Sequence, residues 1–85
     1  MATTFADLTT SWQQIATAAT TLQASSGVVM LQVSATAPAN TETRGHILDT
    51  TNLPGVTWGA QTAGEKLYAR ALQGTASVIM TADIA

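Results

Sequence analysis

Between Gly27 and Ser34 the chain runs Val28-Val29-Met30-Leu31-Gln32-Val33, and Val29, Leu31 and Val33 fall on one side of an extended backbone. Aliphatic and β-branched residues at period two suit a pleated, half-buried surface, so this segment predicts a strand. Lys66 to Ala71 alternates more sharply, with Leu67, Ala69 and Ala71 pointing one way and Lys66, Tyr68 and Arg70 the other. Further on, Ala76, Val78 and Met80 alternate with Ser77, Ile79 and Thr81. Gln73-Gly74 supplies a turn between these two segments, and together they read as an antiparallel hairpin.

Weaker signals lie between. Gly45 to Leu48 and Val56 to Trp58 predict two brief strands, and Leu53-Pro54-Gly55-Val56 has proline and glycine at the central positions of a type II turn. Ala35 to Thr43, which contains Pro38 and Asn40 and is poor in large apolar side chains, reads as a loop. The N-terminal quarter carries two conflicting patterns. Phe5, Leu8, Trp12, Ile15, Ala19 and Leu22 recur at spacings of three and four, the stripe of an amphipathic helix. Against a helix, Thr and Ser fill eight of the 22 positions from Phe5 to Ser26, and no ion pair at i,i+4 supports a polar face. Strands over Trp12 to Ala16 and Thr20 to Gln23 are therefore expected, with residues 1–8 as an N-terminal arm and residues 9–85 as one β domain. Short strands punctuated by turns predict an all-β fold, a small antiparallel β-sandwich or barrel of about six to eight strands.

Composition narrows the function. In 85 residues without cysteine the core is small, disulfides are excluded, and no cluster of metal-ligating residues stands out, so association with other chains is the remaining source of stability. A formal charge of -2, with three Lys+Arg against five Asp+Glu, gives no footprint for a nucleic-acid backbone. The longest apolar run, Val28 to Leu31, is far below the about 20 residues of a membrane helix, and the N-terminus lacks the basic region of a signal peptide. Neither nucleic acid nor membrane is expected as a partner. So few charges also leave a neutral Thr/Ala/Gln surface that suits coverage by neighbouring subunits.

Candidate chemistry is sparse. Gly59-Ala60-Gln61-Thr62-Ala63-Gly64-Glu65-Lys66 has the outline of a phosphate loop, but Glu65 replaces the lysine, Leu67 follows where a magnesium-holding hydroxyl belongs, and the next segment reads as strand. His46 is the sole histidine, with Glu42 and Asp49 as the nearest acids, which is too little for a structural zinc site; it reads as an exposed strand residue. No G-x-S-x-G elbow accompanies it, and Glu42, Asp49, Glu65 and Asp83 fall mostly in loops or at the terminus. No enzyme activity, cofactor or metal is expected. Trp12, Trp58 and Tyr68 are the amphipathic aromatics, and Arg70 shares a strand face with Tyr68. Such residues bury large area while keeping one polar handle, so these four are the candidate interface residues.

The layout from Ser11-Trp12-Gln13-Gln14-Ile15 through Gly27 to Val33, the Pro-containing loop and Gly45 to Leu48 resembles small virion structural proteins of tailed bacteriophages. Gly64-Glu65-Lys66-Leu67-Tyr68-Ala69-Arg70-Ala71, leading into Ala76-Ser77-Val78-Ile79-Met80-Thr81, is the part that most looks like head-decoration, head-fibre and tail-adaptor modules. The resemblance implies a compact β-sandwich or barrel, commonly a trimer, located in the virion and bound to the major capsid protein or to a neck or tail protein. Residues 1–8 would then be a docking arm. A receptor- or carbohydrate-binding module of a phage appendage is the alternative, and an adaptor domain for another protein a third.

Overall fold

The structure, a computed structural model, describes residues 3–17, 20–42, 44–51, 55–58 and 64–82. These form eight strands and no helix: β1 (Thr3–Leu8), β2 (Gln13–Ala16), β3 (Thr20–Ser26), β4 (Val28–Ser34), β5 (His46–Asp49), β6 (Gly55–Trp58), β7 (Lys66–Ala71) and β8 (Ala76–Ala82). Of the all-β sandwich or barrel expected from the alternation, the sandwich is the fold. Its connectivity is more specific. Four antiparallel pairs, β1 with β8, β2 with β7, β3 with β6 and β4 with β5, describe a chain folded back on itself around the β4–β5 connection. Two further pairings, β3 with β8 and β4 with β7, roll that long hairpin into two sheets. Sheet A has the order β1-β8-β3-β6 and sheet B the order β2-β7-β4-β5, which is a jelly roll.

The core lies between the sheets. Leu8, Leu22, Ala24, Ala76, Val78 and Met80 face inward from sheet A, and Val29, Leu31, Leu48, Leu67, Ala69 and Ala71 from sheet B. Small alanines opposite leucines let the two sheets close without large voids. Every strand of the described core obeys the period-two rule, so the helical stripe of residues 5–22 does not form. Leu8 and Leu22 reach the core, Trp12 lies on the outer side of sheet B, and Phe5 projects from sheet A into solvent at 73% exposure.

Three sequence expectations need correction or restatement. Lys66–Ala71 and Ala76–Ala82 are both strands, but they are not a hairpin partnership. β7 is central in sheet B and β8 central in sheet A, each already paired on both sides. The turn at Gly74, with φ 63°, therefore carries the chain from one sheet to the other. The segment read as an arm is mostly strand β1, in unbroken register with β8 from Thr3 opposite Thr81 to Leu8 opposite Ala76. Burial of Leu8 and the backbone ladder hold it in place. Finally, Gly55 is already inside β6, opposite Gln23, while residues 53 and 54 of the proposed type II turn lie outside the described residues.

One glycine is required by the roll itself. β3 and β4 belong to different sheets yet are separated by Gly27 alone, which has φ 71°. A Cβ there would stand 2.7 Å from the Thr75 oxygen and 2.9 Å from the Ala76 Cβ.

Candidate functional site

The outer face of sheet B is not left to solvent. β7 presents Tyr68 and Arg70 outward, and the β4 ladder sets Gln32 opposite Tyr68 and Met30 opposite Arg70. Trp12, just before β2, completes a cluster with Met30 and Tyr68. Over this cluster folds the β4–β5 connection, which behaves as a strap. The Arg70 Nη1 donates to the carbonyl oxygens of Asn40 at 2.8 Å and Glu42 at 3.2 Å, and Nε donates to Ala71 O at 3.3 Å. The Trp12 Nε1 donates to the same Glu42 carbonyl at 3.1 Å, and the guanidinium carbon lies 5.7 Å from the indole centroid.

This arrangement explains how a charged side chain can be buried to 7% exposure. A guanidinium withdrawn from water needs acceptors, and the strap supplies backbone carbonyls while the indole face supplies favourable π density. It also explains why β7 is buried on both faces although its sequence alternates. The pattern is half-buried with respect to the sheet, and the strap covers the remaining half.

Two shallow clefts adjoin the strap and share Gln32 and Arg44. One, of about 440 Å³, is lined by Gln32, Pro38, Ala39, Thr41, Glu42 and Arg44. The other, of about 420 Å³, is lined by Leu31, Gln32, Val33, Arg44, Gly45 and His46. Arg44 grips the Glu42 carboxylate with Nε at 2.9 Å and Nη2 at 2.9 Å, while Gln32 Nε2 donates to the Arg44 carbonyl at 3.1 Å. The hydrogen bonds that Arg44 donates to Glu42, and then the Glu42 charge, raise the Arg44 guanidinium above its ordinary pKa. That pair is an exposed clamp on the strap rather than a proton-transfer couple. His46 is exposed at the start of β5, as its sequence setting indicated. No group of three or more metal-ligating side chains occurs among the described residues.

Of the four candidate interface residues, the structure brings Trp12, Tyr68 and Arg70 together beneath the strap. The Trp58 backbone pairs opposite Thr20 at the far edge of sheet A, in a separate part of the molecule. Residues 59–63 of the glycine-rich segment lie outside the described residues, and β7 follows it as a strand.

Sequence reading passed over a different surface. Sheet A's outer face is rich in hydroxyls: Thr3 pairs opposite Thr81, which pairs opposite Thr21. The Thr3 and Thr81 hydroxyls are 2.8 Å apart, and Ser25 and Ser26 both hydrogen bond to Ser77. Next to this row, Phe5 pairs opposite Ile79 at the β1 edge. The alternation of Ala6 and Leu8 with Phe5 and Asp7 was the available signal, and the helical stripe masked it.

No family model matches the chain, and no curated protein or solved structure is significantly similar to it.

Proposed function

We propose that this chain is a non-enzymatic structural protein of a tailed-bacteriophage virion, one that self-associates and attaches to the capsid or to a neck or tail protein. The observation that carries the reading is an 85-residue jelly roll with open sheet edges, a hydroxyl-rich outer face and an exposed phenylalanine on one edge. Jelly rolls recur in viral capsid proteins, which is support by fold analogy. The physical support is independent: a small core, little charge and unpaired edge strands favour stabilisation by neighbours.

Trp12, Tyr68 and Arg70 act in this reading as the internal frame that fixes the strap, leaving the edges and the strap surface for contact. The carbohydrate-binding alternative draws on the polar clefts at Gln32, Arg44 and His46. Trp12 and Tyr68 are buried, however, so neither offers the stacking platform a sugar needs.

The test is location. Density-banded particles of the phage that encodes the chain should carry it at fixed copy number, detected by antibody and quantitative mass spectrometry. A chain found in the lysate and absent from particles overturns the reading.

A further inference from the structure

Among the described residues, each sheet of the sandwich ends in two strands with an unpaired side. In sheet B these are β2, whose register shifts between Gln14 and Ala16, and β5, which has four residues. In sheet A they are β6, also four residues and opening on Gly55, and β1. Bulges and short length are how proteins blunt an edge against pairing, as are Pro and Lys. β1 has none of these, and its one charged residue is Asp7. It spans six residues, Thr-Thr-Phe-Ala-Asp-Leu, keeps uninterrupted register with β8, and displays Phe5 as the most exposed large apolar side chain described.

We propose that β1 is a homotypic docking edge, at which two copies pair antiparallel about a two-fold axis through Phe5 and extend sheet A into one eight-stranded sheet. The inference rests on the reading that the chain self-associates, and it names the surface and the partner, a second copy of this chain. Symmetry and side-chain chemistry select the register. In an isologous pair whose opposed residues share a face, one residue must lie opposite its own copy. Centring on Ala6 would set Phe5 against Asp7 of the second copy, burying an acid beside an aromatic ring. Centring on Thr4 shortens the ladder and sets Phe5 against Thr3. Centring on Phe5 places Phe5 on Phe5, Thr4 on Ala6, and the Thr3 hydroxyl on the Asp7 carboxylate, so the edge's one charge gains a donor.

The outer face then carries an unbroken apolar row. Ile79 already lies opposite Phe5, so the dimer row reads Ile79-Phe5-Phe5-Ile79 across the four central strands. A trimer, the form implied by the resemblance to phage appendage proteins, would need a different, head-to-tail contact. The β1 edge offers a two-fold one.

The chain's lack of cysteine makes the register directly testable. Directly opposed residues in an antiparallel pair have Cα atoms about 4.5 to 5.5 Å apart, within disulfide range, whereas Thr3 and its own copy would be about 13 Å apart. Under mild oxidation an equimolar mixture of T3C and D7C chains should form the mixed disulfide in several-fold excess over either homodimer, and Q23C, on a central strand of sheet A, should not cross-link. Light scattering of the unmodified chain should show a mass of two chains at high concentration, and Phe5→Lys, which opposes two cations on the axis, should weaken dimerisation at least tenfold with the circular dichroism spectrum unchanged. A monomer at all concentrations overturns both this proposal and the self-associating reading. An oligomer that is indifferent to F5K and gives no T3C–D7C disulfide overturns the β1 edge alone.

Discussion

Trp12 and Arg70 share one acceptor: the indole Nε1 and the guanidinium Nη1 both donate to the carbonyl oxygen of Glu42, at 3.1 and 3.2 Å. Two side chains, one on β7 and one just before β2, thus converge on the strap through its backbone. Arg70→Lys keeps the charge but loses the planar fork and most of the indole contact. Stability should fall by about 1 to 3 kcal/mol, because a shorter ammonium replaces the guanidinium donors placed against the strap carbonyls in a buried setting. Urea unfolding followed by Trp fluorescence measures this, and an unchanged midpoint would show that the strap is held by other contacts.

Trp12→Phe isolates the other half of the clamp. The ring's bulk is largely kept while the Nε1 donor to Glu42 disappears, so the cost should be about 1 kcal/mol. Trp12→Ala removes the packing against Met30 and Tyr68 as well and should cost about 3 to 5 kcal/mol. Amide exchange at residues 39–42 should quicken in both variants, more strongly in the second. Equal effects of the two would assign the whole contribution to the hydrogen bond.

Arg44 provides a contrast, since its side chain is 87% exposed and its partner Glu42 lies on the same strap. Arg44→Ala should leave the urea midpoint near that of the native chain. Its pKa is raised in the folded state, so its contribution is fully present below the ordinary arginine value and is lost only as pH rises through the higher folded value. Arginine's own titration therefore adds no slope to stability near neutral pH. A variant whose stability diverged from the native chain between about pH 7 and 10 would contradict this assignment.

The strands were legible where alternation acts alone. Val29, Leu31 and Val33 on β4, and Ala76, Val78 and Met80 on β8, turn inward as their spacing requires. Pairing was less legible, because Gln73-Gly74 reports that the chain reverses without reporting which sheet receives it. The strap left almost no trace in the sequence. Arg70 is satisfied by carbonyls of Asn40 and Glu42, and any residue type supplies a carbonyl. The stripe from Phe5 to Leu22 shows the opposite failure, a periodicity assembled by chance from β1, β2 and β3. Residue type singled out Trp12, Trp58, Tyr68 and Arg70 as interface candidates, and it gave no hint that Trp12, Tyr68 and Arg70 would meet beneath a strap of the chain itself.

Leu8 tests whether β1 belongs to the folded unit. Its side chain is fully buried while its strand lies at a sheet edge. Leu8→Ala should cost about 2 to 5 kcal/mol through lost burial and the cavity left behind. Thr3→Ala, at the exposed end of the same strand, should cost less than about 1 kcal/mol. Differential unfolding of the two variants separates an integral strand from a detachable arm, for which both substitutions would be silent.

Gly27 bears on the roll as a whole. It is the only residue between β3 and β4, and its positive φ turns the chain out of sheet A and into sheet B immediately after the register shift between Ala24 and Ser26. Gly27→Ala meets two penalties at once. An L-residue in the left-handed region costs about 1 to 2 kcal/mol, and the new methyl would press on Thr75 and Ala76 at the start of β8. Because β8 is paired with both β1 and β3, any shift there disturbs the centre of sheet A. Gly74→Ala is the control, since Gly74 also has positive φ, 63°, but a Cβ there meets nothing within 4 Å. G27A should therefore lose more stability than G74A by about 1 to 3 kcal/mol, the cost of overpacking a close contact. Equal losses would mean that backbone strain alone, and not the approach of β8, makes glycine necessary at the crossing.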